Sequence, residues 1–200
     1  MTINPRINSI LDEANRLFLL GKFQEAISYY DKILEENPNH LGCLNNKGYA
    51  LSKLKDYDSA LLCYNRALES NPNDLSLLIN KVSSLRKKGN LQEALSNCDI
   101  ILESNLNYNI ALYHKERILL SMKNFEESIV CCNQILKDYP NNGDVLYDKS
   151  CNLVMLSKFD EALDNLENSI SQGIQYKIKA KKSKIFEKLN DKQRFQSLIS

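Results

Sequence analysis

Apolar and small residues return along this chain at i, i+4 and i+7, the spacing that lines one face of an α-helix. Leu44, Gly48 and Leu51 form one such stripe. A second amphipathic stretch, Asp58–Glu69, follows after a short break, and Asn71-Pro72 closes it. Proline cannot extend a helix and its predecessor avoids the helical region, so the Asn-Pro pair reads as a stop. The same stop recurs at Pro38, 34 residues earlier, and at Pro140, 68 residues later.

A 34-residue frame that starts at residue 7 puts whole columns in phase. Its eleventh position holds Leu17, Leu51, Leu85, Leu119 and Leu153, and its twentieth holds Ala26, Ala60, Ala94, Ser128 and Ala162. The seventeenth holds Phe23, Tyr57, Leu91, Phe125 and Phe159. Gly21 and Gly89 stand at the fifteenth, where each unit breaks between its two helices. Self-similarity at this period is the mark of a solenoid of helix pairs. Five units are expected, over 7–40, 41–74, 75–108, 109–142 and 143–174, after an N-terminal tail at 1–6. Residues 175–200 read as a further first helix, shifted by one residue through Ser183, Phe186 and Leu189, and a short remnant. Its lysines supply the polar outer face that the end of an array requires.

The second unit carries Leu44, Gly48, Leu51, Ala60, Tyr64, Ala67 and Pro72 in positions that resemble the tetratricopeptide-repeat signature. The resemblance covers 7–174 and implies an all-α fold, a right-handed α-solenoid of tandem helix-turn-helix hairpins. It departs from the pattern at Glu116, where a small residue is usual, and at Leu106 and Ile174, where proline is usual. Packing of the fourth and fifth hairpins is therefore expected to be less regular.

If positions 4, 8 and 11 of each first helix face the core, positions 2, 5, 6, 9, 12 and 13 lie opposite. The resemblance makes that face the concave groove in which extended peptides or partner helices lie. Asn46 and Asn80 share the sixth position and Asn15 holds a ninth, where the family uses asparagine against a peptide backbone. Tyr49, Tyr113 and Tyr147 add amphipathic contact area of the kind enriched at interfaces. Arg86, Lys87, His114 and Arg117 suggest a positive patch in mid-groove and hence acidic residues on the partner. The carboxylate clamp of chaperone-binding members is not reproduced. Leu11, Ser76 and Asn80 stand where its cations should be.

Composition narrows the chemistry further. The 200 residues are 43% hydrophobic and 26% charged, with a formal net charge of +1, so no global field attracts nucleic acid. From Lys177 onward eight basic and two acidic residues give a local +6. The first residues lack the basic and apolar regions of a signal peptide, and no apolar run is long enough to span a bilayer, which points to a cytoplasmic protein with no membrane contact. Two histidines do not make a usual metal site. The six cysteines include no CxxC pair and read as reduced thiols, with Cys98 and Cys132 in a core column and Cys151 on the groove face. No phosphate loop or catalytic constellation is present, so no enzyme, cofactor or metal is expected. The chain reads as a protein–protein adaptor or scaffold. The alternatives are a self-associating structural subunit and, with less support, RNA binding through recurring lysines at Lys47, Lys81, Lys115 and Lys149.

Overall fold

In the computed structural model, residues 5–106 and 108–200 are described, and every regular element among them is helical. Residues 1–4 of the expected tail lie outside the described residues, and Pro5 already opens the first helix. The chain forms two compact units, 1–97 and 98–200. The first contains α1 (Pro5–Leu19), α2 (Phe23–Glu36), α3 (Leu41–Lys53), α4 (Tyr57–Ser70) and α5 (Leu75–Lys88). The division falls within α6 (Leu91–Ser104). The second contains α7 (Asn109–Ser121), α8 (Phe125–Asp138), α9 (Gly143–Met155) and α10 (Phe159–Gln172). It continues through α11 (Ile174–Lys182), a 3-10 helix at Lys184–Leu189, and α12 (Gln193–Ile199). Within the units α1 pairs with α2, α3 with α4, α7 with α8 and α9 with α10, as tandem hairpins.

One turn is used in every hairpin. The fifteenth residue of each 34-residue unit adopts a positive φ: Gly21 (73°), Lys55 (67°), Gly89 (95°), Lys123 (63°) and Ser157 (60°). The next residue's N–H then reaches back to the carbonyl of the leucine at the eleventh position. Lys22 donates to Leu17, Asp56 to Leu51, Asn90 to Leu85, Asn124 to Leu119 and Lys158 to Leu153, all at 2.9–3.0 Å. This is the bond that closes a helix through a left-handed residue. The turns between hairpins are read just as directly. Asn37, Asn71 and Tyr139, each before a proline, leave the helical region with ψ of 84°, 71° and 69°. The following helix is capped by a side chain in each case, as His40 Nδ1, Asp74 Oδ1 and Asn142 Oδ1 accept from the N–H three residues on.

Small residues set how closely paired helices approach. Ala60 and Gly48 are buried, and a Cβ on Gly48 would lie 2.7 Å from Tyr64 Cε1. The fourth unit replaces that small residue with Glu116, which is fully buried beside the equally buried Ser128. The Ser128 hydroxyl lies 3.2 Å from Glu116 Oε1, and Asn152 Nδ2 donates to it at 2.8 Å. Glu116 Oε2 and Asn152 Oδ1 remain buried with no hydrogen bond. Both are acceptors, so a proton on Glu116 supplies the donor that this cluster lacks. Burial, reinforced by the charge of Asp148, pushes the Glu116 carboxyl up to about 8 against the opposing pull of Arg117. The less regular packing expected here is thus a polar plug in the hairpin interface.

The C-terminal segment breaks the expected shifted first helix in two, and the expected remnant forms α12. At Ser183 the backbone turns extended (φ −87°, ψ 122°), and its hydroxyl accepts from Ile185 N–H at 3.4 Å. The break lets Tyr176 and Ala180 on one side, and Phe186, Leu189 and Phe195 on the other, enter one core with Leu153, Leu163 and Leu166. Phe186 and Phe195 stack with centroids 5.9 Å apart. The lysines of this segment remain outside that core, in keeping with a capping role.

Two measurements test these interfaces. Ala60→Leu overpacks the α3–α4 contact and is expected to lower the unfolding free energy by about 1–3 kcal/mol in urea titration. Glu116 has a folded-state pKa above its unfolded value, so its contribution is full at low pH and is lost as pH rises from about 4.5 to about 8. Glu116→Gln keeps the shape and supplies a permanent donor. It is expected to match the wild type at pH 5 and to exceed it by on the order of 1–3 kcal/mol at pH 8.5.

Candidate functional site

In the first unit the first helices α1, α3 and α5 lie side by side and present a polar wall. Four asparagines cross it in one hydrogen-bonded chain. Asn80 Nδ2 donates to Asn45 Oδ1 at 2.9 Å, and Asn45 Nδ2 donates to Asn46 Oδ1 at 3.5 Å. Asn46 Nδ2 donates to Asn15 Oδ1 at 3.3 Å, which also accepts from the Tyr30 hydroxyl at 2.9 Å. All four are half-buried. An amide has two donors and two lone pairs, so each member keeps capacity beyond the chain itself. The expected asparagines Asn15, Asn46 and Asn80 therefore come together, joined by Asn45, whose role as a link the repeat pattern does not reveal. Asn45 and Asn46 are sequence neighbours, and only the side-by-side placement of three helices makes both of them bridge.

Tyr49 borders the same wall. Its ring meets Phe18 at a centroid distance of 5.4 Å, and the Lys53 ammonium lies 5.0 Å from its centroid. Arg86 is half-buried near the end of α5, with Lys87 exposed beside it.

The second unit behaves differently. Tyr113, His114 and Arg117 are half-buried on α7. Arg117 Nη1 donates to the Tyr113 hydroxyl at 2.9 Å and to Asp148 Oδ2 at 3.2 Å. Its charge is thereby met within the unit, and Arg117 is not the open cation that the sequence suggests. Tyr147 corrects the sequence reading more fully. It is 9% exposed, against half-buried residues at the same position of the earlier units, Leu11, Asn45, Ile79 and Tyr113. Asp148 and Cys151 on the same face are buried as well. The cause is the chain's own C-terminal segment. Tyr147 packs against Tyr176 at 6.2 Å and Phe186 at 5.7 Å, while Lys179 pairs with Asp144 and lies 5.6 Å from the Tyr147 ring centre. The face of α9 is occupied, and a peptide has no access to Tyr147.

Thiol chemistry is suppressed by the same packing. All six cysteines are free and buried. Burial pushes the Cys43 and Cys131 thiols up to about 11 and that of Cys151 to about 12, so Cys151 is not the reactive groove thiol its position allows. Among the described residues no group of three or more His, Cys, Asp or Glu is placed to hold a metal, and no helix is long and apolar enough to cross a membrane. His40, in its turn, serves as a helix cap.

Comparison with known proteins agrees with this geometry. Sequence models described as tetratricopeptide repeat match residues 10–40 and 43–74. A tetratricopeptide repeat protein from Parabacteroides merdae has the same fold, with a TM-score of 0.84 at 16% identity over 98% of this chain and 78% of that one. YrrB, a repeat protein described as having an unusual peptide-binding site, gives a TM-score of 0.71 at 20% identity over 87% and 91%. MamA gives 0.75 at 17% identity over 86% and 94%. At these identities the likeness establishes the fold, the all-α tandem-hairpin class of α-solenoids. No curated protein matches the chain in sequence. Tetratricopeptide repeats are thus matched directly at residues 10–40 and 43–74, and the tandem-hairpin fold is shared along the chain.

Proposed function

We propose that this protein is a non-catalytic protein–protein interaction module whose first unit holds a segment of a partner along the α1–α3–α5 wall. The observation that carries the reading is the chain of four half-buried asparagines across three helices. Their spare donors and acceptors match the N–H and C=O groups of an extended backbone, and Tyr49 offers a flat amphipathic contact beside them. The internal hydrogen bonds hold the amides in place before binding, which lowers the entropy lost on association. YrrB, of the same fold, is described by its peptide-binding site, and that description supports a peptide ligand here. The C-terminal segment already covers the face of α9, which favours the wall of the first unit over that helix as the binding surface. The module is taken to act as a cytoplasmic scaffold.

Self-association is a second reading, favoured by one feature. Leu62 is 70% exposed beside a groove between α2, α3 and α4 lined by Ile27, Leu34, Leu44 and Leu51. Light scattering separates the two, since a monomer at all concentrations removes self-association.

Selection from a random peptide display library tests the first reading. Enriched peptides are expected to bind the wild type and to bind Asn46→Ala about 5- to 10-fold more weakly, the loss of about one hydrogen-bonded contact. Peptides whose affinity is the same for wild type, Asn46→Ala and Asn80→Ala, with helicity intact by circular dichroism, would sink it.

A further inference from the structure

Lys53 and Lys87 hold the thirteenth position of consecutive units and border one pocket of about 140 Å³ between α3 and α5. Ser52 and Tyr64 line it too, both buried, together with Asn80 and Ser83. Of the other lysines of this unit, Lys22, Lys47 and Lys88 close on Glu25, Asp31 and Asp58, whereas Lys32, Lys55 and Lys81 make no ion pair among the described residues. Among the described residues neither Lys53 nor Lys87 is paired with a carboxylate. Although Lys87 is exposed as a residue, partial desolvation of its ammonium, followed by the like charges of Lys53 and Arg86, holds it below the usual lysine range. Two cations brought to one polar pocket without a counter-charge cost free energy that an anion recovers.

The remaining wall offers donors. The Ser84 hydroxyl donates to Ser52 Oγ at 3.1 Å, which leaves the Ser52 proton to be given to the pocket. Asn80 Nδ2 uses one of its two N–H bonds on Asn45, and Ser83 adds a second hydroxyl. A single water needs about 10–15 Å³ of such volume, so a pocket of about 140 Å³ has room for a group well above the size of one water. The choice of anion follows from charge and donor number. A carboxylate carries one charge and two oxygens. A phosphate monoester carries about −1.5 to −2 at neutral pH and three acceptor oxygens, and it matches two ammonium groups with several neutral donors. Lysines act here as point charges, without the guanidinium fork that suits a planar carboxylate.

We propose that the Lys53–Lys87 pocket binds the phosphate monoester of a phosphorylated residue on the partner segment. The proposal rests on the peptide-binding reading above and adds modification of the partner as the condition for tight binding.

Titration of the full ¹⁵N-labelled chain with O-phosphoserine, at ionic strength fixed with sodium chloride, tests the site without a partner. Saturable shifts of the Asn80 and Ser83 amides are expected in the millimolar range. Lys53→Gln/Lys87→Gln should weaken binding at least tenfold, and Lys88→Gln, outside the pocket, should not. If the double variant fails to fold, Lys87→Gln alone is expected to weaken binding at least threefold. Glutamate should bind at least fivefold more weakly than O-phosphoserine, and inorganic phosphate no more tightly. Shifts that follow chloride alone, survive in the lysine variants, or occur as readily with glutamate overturn the proposal. Tenfold preference for inorganic phosphate overturns it too, by making the free ion the ligand. Because the probe needs no backbone contact, failure here leaves Asn46-dependent peptide binding standing, and loss of that dependence leaves phosphate binding standing.

Discussion

The distance at which two helices of a hairpin can pack is the constraint from which the other features follow. It is set where the ring of Tyr64 lies against Gly48, with no room for a Cβ there, and where Ala60 is buried in the same core as Tyr64. Close approach fixes the rotation of each first helix about its axis. With positions 8 and 11 turned into the core, positions 6, 9 and 13 have one direction left. The asparagines of α1, α3 and α5 meet in one chain because each helix is held at that rotation. The turn contributes equally, since a left-handed residue and the bond back to the leucine carbonyl end every first helix at the same phase.

The second unit shows what happens when the constraint is met by other means. Glu116 brings a carboxyl where a small residue belongs, and Ser128 and Asn152 gather around it. Further along, the chain uses its own residues to fill the face that the first unit keeps open. Tyr176, Phe186 and Phe195 place aromatic surface over α9, and Lys179 ties the cover to Asp144. Such aromatic burial is large enough to make the cover a permanent part of the core rather than a stand-in for a partner.

Much of this is legible in the sequence because it depends on short-range repetition. The 34-residue period, the small residues, the prolines and Gly21 and Gly89 give helix pairs and turns, and residues such as Asn15, Asn46 and Asn80 fall on the predicted face. Lys55, Lys123 and Ser157 in the same left-handed conformation are not legible, because the turn imposes it on residues that do not favour it. Tyr147 and Cys151 were misplaced for a different reason. Their positions match open-face positions, and what buries them comes from a segment 25 or more residues later that leaves the repeat frame at Ser183. The pairing of Arg117 with Asp148 is similarly long-range, across 31 residues. Periodicity carries the rotation of each helix, and it carries nothing about which distant side chain arrives against it.

The proton on Glu116 has a consequence for the molecule as a whole. Burial pushes this carboxyl up to about 8, so near neutrality the folded chain favours a proton there that the unfolded chain has released. Folding of the second unit is therefore an acid-consuming reaction in that range, and the proton is taken up by the interior, where no surface titration would look for it.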